Sequence, residues 1–170
     1  KYYQRLSTVS SGGVIDFRAI RFPGLISSDT VPSGGTSDYG PEMIHAVARG
    51  EPYACFVRPD TTMPFMTMPD AISAMESLMK ADAQSLTRTV YHISSFSVSA
   101  QDFADKISNL YNKSEILFKV NDKRQAIVDS WPAELNDVAA RKDWGWKPGF
   151  DFDTAFDNYL VPEINKRYGE

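Results

Sequence analysis

The stretch Arg21-Phe22-Pro23-Gly24-Leu25-Ile26-Ser27 marks the point where a predicted strand gives way to a predicted loop. It closes an apolar segment, residues 14–22, which glycines bound on one side and the Pro-Gly pair bounds on the other; this pattern predicts a strand. The polar loop Pro32-Ser33-Gly34-Gly35-Thr36-Ser37-Asp38-Tyr39 follows before the next helix. Ligands of open α/β sheets bind beyond the carboxyl ends of strands. We therefore expect a ligand at this loop.

Strand and helix patterns alternate through the rest of the chain. Further strands are predicted at residues 53–57, 63–68, 89–93 and 116–120. Helices are predicted after Pro41, from Pro69-Asp70, after the capping-box pattern Ser99-x-x-Asp102, from Asp137 to Gly145 and from Asp153 to Lys166. The interleaving predicts an α/β fold in which part of the chain forms a smaller mixed lobe. Since no linker divides the sequence, residues 1–170 are expected to form a single compact unit.

Local details refine these elements. Pro64 predicts that its strand lies at an edge or a bulge, and Pro162 predicts a kink or a break in the last helix. Asp38 and Asp70 are expected to cap the helices that they precede. The residues assigned to the buried apolar face of the helix after Pro69 are Ala71, Ile72, Met75, Leu78 and Met79.

Composition excludes several classes of function. The 18 basic and 22 acidic residues give a net charge of −4, and no basic run is present, which argues against nucleic acids and anionic membranes as partners. No apolar run approaches the roughly 20 residues that span a bilayer. Cys55 is the single cysteine, lies in a predicted strand, and is expected to be an inert core residue. His45 and His92 lack the spacing of metal ligands, and neither is expected to be catalytic.

Two segments are candidates for ligand binding. Residues 34–38 combine two glycines, which let a backbone approach a ligand, with hydroxyls and a helix N-terminus that favours an anion. On spacing alone, an ordinary glycine turn before a capped helix is the favoured interpretation. Residues 124–132 place Arg124 and Trp131 in a predicted loop, where they line a pocket or form a surface ion pair and a packed indole. The sequence has no G-x-G-x-x-G, no Tyr-x-x-x-Lys and no Ser-His-Asp arrangement, so a catalytic apparatus is not expected.

Three motifs in this chain resemble a known family. Residues 135–148 resemble the C-terminal signature of extended short-chain dehydrogenases, the sugar-nucleotide epimerase and dehydratase superfamily. Residues 21–27 with 34–39, and residues 124–127 with 129–132, resemble the short-chain L-threonine dehydrogenases within it. The likeness covers essentially the whole chain. It implies a Rossmann-type NAD-binding domain with a smaller substrate lobe, in an enzyme that oxidises the β-hydroxyl of L-threonine to 2-amino-3-oxobutanoate with formation of NADH.

The resemblance also implies roles for single residues. The implied cofactor-binding residues are Phe22, Pro23, Gly24 and Leu25, and the implied substrate-binding residues are Gly34, Gly35, Thr36, Arg124 and Trp131. Phe22 stands where the family usually has tyrosine, which removes a hydroxyl and keeps the packing role. Arg124 matches the arginine that sugar-nucleotide relatives use on a diphosphate, or it pairs with an acid here. Trp131 is expected to close the pocket.

The family's catalytic groups fall outside this sequence. Its glycine-rich turn, its Tyr-x-x-x-Lys and its Ser/Thr partner belong upstream of Lys1, so no catalytic residue is expected in the 170 residues and the chain alone is expected to be inactive. Residues 1–6 look like the end of a helix, which suggests the later part of a longer protein. The strands at 14–22 and 89–93 are expected to end the Rossmann sheet. The family likeness suggests a homodimer, cytoplasmic or, in a eukaryote, mitochondrial.

Two alternative functions stay open. One is an NAD-dependent sugar-nucleotide epimerase or dehydratase, and the other is a non-catalytic NAD-binding member of the same fold. A nucleotide diphosphate needs two or more basic groups that converge with Arg124, whereas a small zwitterion needs hydroxyls and backbone amides. The Gly-Gly-Thr-Ser loop favours the amino acid.

Overall fold

The computed structural model describes Tyr2 and the ranges 15–111 and 114–169. Within these ranges the strands are β1 (Ala19–Arg21), β2 (Gly24–Ile26), β3 (Tyr53–Cys55), β4 (Thr62–Thr67), β5 (Val90–His92), β6 (Phe96–Ser99) and β7 (Ile116–Phe118). The helices are α1 (Tyr39–Ala48), α2 (Met68–Lys80), α3 (Ala100–Leu110), α4 (Asp122–Val128), α5 (Val138–Trp144), α6 (Phe152–Ala155) and α7 (Val161–Tyr168). The predicted helix end at residues 1–6, apart from Tyr2, and the strand residue Val14 lie outside the described residues.

The strands pair into small sheets, mostly in parallel. β1 pairs in parallel with β5, and β3 pairs in parallel with β7. In a third sheet β4 is central, parallel to β2 and antiparallel to β6. The predicted α/β class with a mixed part is therefore confirmed. No helix in the described ranges is both long enough and apolar enough to cross a membrane.

The chain passes from one sheet to another at the Pro-Gly pair. The strand predicted at 14–22 is observed only over Ala19–Arg21, and after Pro23 the chain pairs again, with Gly24 opposite Phe65. The expectation that a loop begins directly at this pair was therefore wrong. Gly24 permits the new pairing, because a Cβ at this position would lie 2.9 Å from the Phe65 ring. The bend has a strand on either side.

Pro64 lies in a central strand, which corrects the prediction of an edge or a bulge. The Phe65 carbonyl accepts a hydrogen bond from the Ser95 amide, so Phe65 faces β6. The backbone polar groups of successive residues in a strand point to opposite sides, so the nitrogen of Pro64 faces β2. The pairing of β4 with β2 begins only at Phe65. Proline is tolerated there because no ladder hydrogen bond is lost.

Helix α2 buries a different face from the predicted one. Ala71, Ala74 and Leu78 are buried against the cluster around Tyr91 and Trp146. The exposed side chains include Ile72 at 47%, Met75 at 45% and Met79 at 78%, so their assignment to the core was wrong. Each lies one residue beyond a buried position, which is a rotation of about 100° around the helix. The sequence spacing is compatible with burial of either set of residues, and only the packing of α2 against the sheet decides which set is buried.

The predicted caps are only partly present. Ser99 and Asp102 form the predicted capping box, and Gly145 ends α5 in the left-handed conformation with a φ of +71°. Asp38 occupies the N-cap position of α1, but its carboxylate accepts from the Gly35 amide instead of capping the helix. Thr67, and not Asp70, caps α2 with its side chain. Asp and Thr side chains both accept amide hydrogen bonds, so sequence position alone did not separate these roles.

Helix α4 corrects the prediction of a loop after β7. The Asn121 side chain caps it by accepting from the Arg124 amide at 3.1 Å. With only seven residues, this helix carries too few apolar positions to show a helical period in the sequence. The predicted break at Pro162 is present as a π-helical turn, Phe156–Leu160, between α6 and α7. Proline has no amide hydrogen to continue the regular bonding pattern.

Among the residues that the structure describes, the core has two buried clusters, and consecutive residues of β4 divide between them: Phe65 belongs to the larger cluster and Met66 to the other. The larger cluster is built on edge-to-face aromatic contacts of Tyr39 and Phe103 with Phe65. Cys55 is fully buried in it, as predicted, and burial raises the pKa of its thiol to about 11. A thiol in this state is no nucleophile at neutral pH.

Candidate functional site

A cavity of about 250 Å³ opens at the bend between β1 and β2. Its lining consists of Phe22, Pro23, Gly24, Ser37, Met63, Pro64, Trp131, Pro132 and Leu135. The bend forms one wall, and the connection between α4 and α5 forms the other. The turn before α1 and the start of β4 complete the cavity, so four distant parts of the chain meet here.

Three of the four predicted cofactor-binding residues line this cavity together. They are Phe22, Pro23 and Gly24. Leu25 lines a neighbouring cavity of about 150 Å³ with Ser27 and Met68. Successive side chains of a strand point to opposite faces, which explains why Gly24 and Leu25 face different cavities. The bend is therefore accessible from both sides.

Of the predicted substrate-binding residues, Trp131 lines the main cavity, with 37% of its side chain exposed. Thr36 is half-buried and is not among the lining residues, whereas its neighbour Ser37 is. Both hydroxyls belong to the loop that the sequence singled out. Residue types alone do not show which of two adjacent side chains points inward.

Gly34 and Gly35 form a tight turn, and the backbone conformation at position 34 favours glycine. Gly34 has a φ of +93°, a backbone conformation that other residues rarely adopt. The Gly35 amide donates to the Asp38 carboxylate at 2.7 Å, and the Asp38 amide donates to the Gly35 carbonyl at 3.1 Å. A Cβ at Gly35 would lie 2.9 Å from both carboxylate oxygens of Asp38. The turn that places Ser37 therefore depends on the left-handed backbone conformation of Gly34 and on the hydrogen bonds between Gly35 and Asp38.

Arg124 lies on this turn and not among the residues that line the cavity. Its Nη2 donates to the carbonyl of Gly34 at 3.1 Å and to that of Gly35 at 2.5 Å. Its Cζ lies 3.2 Å from the centroid of the Phe56 ring, a cation–π contact. In the part of the chain that the structure describes, Arg124 forms no ion pair, so the predicted acid pair is absent. The guanidinium joins α4 to the turn.

The cavity is suited to binding, and the residues that the structure describes give it no proton-transfer group. Its lining is apolar apart from the Ser37 hydroxyl, the Trp131 indole N–H and backbone groups. No titratable side chain among the described residues lines it, so none of these residues can act there as a general base. A concave, largely apolar cavity with few polar groups is the usual form of a small-molecule site.

The two histidines lie away from this cavity. The His45 Nδ1 lies 2.9 Å from the Tyr168 hydroxyl, with the side chain buried in α1. The His92 Nε2 lies 3.2 Å from Arg21 Nη1. Among Tyr2 and residues 15–111 and 114–169, no group of three or more His, Cys, Asp or Glu residues is arranged to hold a metal ion.

Met63, Pro64 and Leu135 are cavity residues that sequence reasoning did not identify. Met63 and Pro64 reach the bend because β4 pairs with β2. The two strands are separated by the 35 residues between Ile26 and Thr62. A pairing over this distance has no local signal in one sequence. Leu135 was noted only as part of the C-terminal signature.

Comparison with known proteins gives a consistent set of relatives. No protein-family model matches the chain. The mitochondrial L-threonine 3-dehydrogenase of Bos taurus is 39% identical over 137 residues, which cover 81% of this chain and 37% of that protein. An uncharacterized epimerase/dehydratase of Staphylococcus haemolyticus is 39% identical over 138 residues, which cover 81% of this chain and 43% of that protein.

Solved structures agree with the sequence relatives. The L-threonine 3-dehydrogenase from Trypanosoma brucei has a TM-score of 0.88 and 33% identity, covering 99% of this chain and 52% of that one. The chain thus spans about half of that solved structure and about two fifths of the curated relatives. The fold matches the C-terminal part of these proteins.

Proposed function

We propose that this chain is the substrate-binding part of an NAD-dependent L-threonine dehydrogenase. The proposal is supported by homologues and structural neighbours that are L-threonine 3-dehydrogenases of the GalE-like epimerase/dehydratase superfamily. The observation that carries the proposal is the cavity in which the Pro23–Gly24 bend faces Ser37 and Trp131. Bend, hydroxyl and indole come from separate motifs of the sequence and line one space.

The shape of the cavity supports the binding of NAD beside a small substrate. Pro23 offers a flat ring an apolar surface at the bend, and the backbone of Gly24 lines the same cavity. We assign Phe22, Pro23 and Gly24 to the nicotinamide end of the cofactor. Leu25, on the neighbouring cavity, is assigned to the same cofactor through its backbone.

The amino acid is assigned to the polar side of the cavity. The Ser37 hydroxyl, with Thr36 and the Gly34–Gly35 backbone beside it, binds the polar groups of L-threonine. Trp131 covers the substrate and excludes water from the reacting carbon. These residues orient the substrate and do not themselves take a proton.

The proposed reaction removes two electrons and two hydrogens from the carbinol of L-threonine. Bound NAD supplies the acceptor of the hydride from the carbinol carbon, with formation of NADH. The hydroxyl proton passes to a base, and the C–O bond becomes the carbonyl of 2-amino-3-oxobutanoate. Since no titratable side chain lines the described cavity, we assign the base to the family's tyrosine, outside these residues. The chain alone is accordingly proposed to be inactive.

We further propose that β1 and β5 belong to a larger Rossmann sheet in the whole protein. Support comes from the apolar surface around Ile72, Met75 and Met79, which is exposed beside β1. A cavity of about 250 Å³ between β1 and α2 lies on the same surface. Large exposed apolar patches usually mark surfaces that another part of a protein covers. A homodimer, and a cytoplasmic or mitochondrial location, stay predictions.

A sugar-nucleotide epimerase or dehydratase is the second candidate, because the chain is also similar to an uncharacterized epimerase/dehydratase. The cavity argues against it. No basic side chain lines the described cavity, and Arg124, which this function needs, binds the carbonyls of Gly34 and Gly35. A diphosphate in this cavity would lack charged partners.

The test is a comparison of two substrates in the full-length protein. NADH formation is followed with NAD and L-threonine, and conversion of a UDP-sugar is measured in parallel. We expect NADH with L-threonine, none with residues 1–170 alone, and no conversion of the UDP-sugar. Conversion of the UDP-sugar without any threonine-dependent NADH would overturn the proposal.

A further inference from the structure

The two walls of the cavity are connected through helix α4. From its first turn, Arg124 reaches the carbonyls of Gly34 and Gly35, which lead to Ser37. At its end, the Trp131 amide donates to the Val128 carbonyl at 2.9 Å. One short helix therefore contacts the hydroxyl-bearing turn and also fixes the start of the tryptophan wall.

Helix α4 is itself firmly attached to the segment before β4. The buried Gln125 accepts from the Arg58 amide at 2.7 Å and donates to the Thr61 hydroxyl at 3.1 Å. The Arg58 guanidinium binds both carboxylate oxygens of Asp129, at 3.0 and 2.8 Å. The Arg58–Asp129 pair is exposed, whereas Gln125 is buried and satisfied, and buried, satisfied polar contacts fix a single arrangement. The helix is a rigid support from which Arg124 extends.

The guanidinium of Arg124 is held from two directions. Its face lies on the Phe56 ring, which is itself buried, and its edge donates to two carbonyls of the glycine turn. A planar guanidinium can stack and donate in this fixed arrangement, whereas the round ammonium group of lysine has no flat face. The contact is therefore specific for arginine and not merely for a positive charge.

We propose that Arg124 is a positioning residue, which holds the Gly34–Ser37 turn at a fixed distance from the Trp131 wall and so sets the width of the cavity. This inference rests on the proposed function as an L-threonine dehydrogenase. It differs from the diphosphate contact that the resemblance implies, because protein carbonyls already bind the guanidinium. Arg124 then favours a small substrate without touching it.

The test uses three variants of the full-length protein: Arg124→Ala, Arg124→Lys and the control Lys123→Ala, an exposed neighbour on the same helix turn that loses the same charge. Steady-state kinetics give KM for L-threonine and kcat. Loss of the contact between Arg124 and the glycine turn should raise KM roughly 10-fold to 100-fold in Arg124→Ala, with a smaller change in kcat. Added guanidinium ion should lower KM again, and lysine should restore less than half of the loss.

Hydrogen exchange of the amides in residues 33–38 gives a second readout that needs no activity. We expect faster exchange at Gly35 and Asp38 in Arg124→Ala and wild-type exchange in Lys123→Ala. Unchanged hydrogen exchange in Arg124→Ala would overturn the inference, and so would an unchanged KM for L-threonine in that variant. A loss of UDP-sugar binding as the main effect of Arg124→Ala would also overturn it. If the wild-type protein makes no NADH from L-threonine, the proposed function fails, and the exchange data still decide whether Arg124 holds the turn.

Discussion

The carboxylate of Asp70, at the start of α2, accepts a hydrogen bond of 2.7 Å from the amide of Gly149. It also accepts from the Ser95 hydroxyl at 2.7 Å and from the Phe150 amide at 3.3 Å. The Asp70 side chain is buried, and a Cβ at Gly149 would lie 2.9 Å from its Oδ1. One carboxylate thus ties together the β4–α2 junction, the segment before β6 and the turn before α6.

Replacement of Asp70 should strongly destabilise the fold. Asp70→Ala leaves the Gly149 amide and the Ser95 hydroxyl, whose hydrogen bonds to Asp70 are both partly buried, without a partner, at a cost of about 2–4 kcal/mol. Urea unfolding should show a lower midpoint with an unchanged slope. Asp105→Ala, which removes an exposed carboxylate, is the control and should stay within about 0.5 kcal/mol of wild type. Equal midpoints for the two variants would contradict the role assigned to Asp70.

The two adjacent hydroxyls of the glycine turn can be separated by matched substitutions. Since Ser37 lines the cavity and Thr36 does not, we expect Ser37→Ala to raise KM for L-threonine more than Thr36→Ala does. A lost buried hydrogen bond corresponds to about 1–3 kcal/mol in kcat/KM. Steady-state kinetics of both variants in the full-length protein measure this. A larger effect at Thr36 would show that the resemblance, and not the observed turn, gives the correct contact.

Trp131 should act through the surface of its indole. Trp131→Ala removes the wall opposite the bend, so kcat/KM for L-threonine should fall by roughly tenfold or more. Trp131→Phe keeps a flat ring and should retain most of the activity. Because the side chain is more than one-third exposed, neither variant should lower the urea midpoint appreciably. A phenylalanine variant as impaired as alanine would point instead to the indole N–H.

His45 should make the stability of the fold sensitive to mild acid. Burial lowers the pKa of His45; the Ser27 backbone acts in the opposite direction, and the charges of Arg167 and Arg49 add to the lowering. The unfolded chain takes up a proton near the ordinary histidine pKa of about 6.5, and the folded chain does so only at lower pH. The unfolded state thus binds more protons, and stability falls as the pH drops below about 6.5.

Unfolding free energies between pH 8 and pH 5 test this relationship, a window set around the ordinary histidine pKa of about 6.5. His45→Gln should flatten the dependence on pH, even if the variant is less stable at every pH. His92→Gln, which replaces the other histidine of the 170 residues, is the control. If His92→Gln flattens the curve and His45→Gln does not, the assignment to His45 is wrong.

Local patterns in the sequence were sufficient for elements whose signals lie within a few residues. The capping box Ser99–Asp102, the left-handed Gly145 and the break before Pro162 were all predictable in this way. Failures arose where packing chose between equivalent local solutions. The apolar stripe of α2 that includes Met75 fits a helix as well as the stripe that is buried, and the short α4 has too few residues to show a period.

The sequence by itself determined the α/β class, the position of the Pro-Gly bend and the hydroxyl-bearing glycine turn, because each depends on backbone preferences of adjacent residues. Only the tertiary structure decided that a new strand, β2, begins directly after Pro23 and that Ser37 lines the cavity. It alone also decided that Arg124 binds carbonyls of the glycine turn, 89 and 90 residues earlier in the chain. Such contacts join segments that are far apart in the chain, and their geometry follows from sheet pairing and packing rather than from local preference.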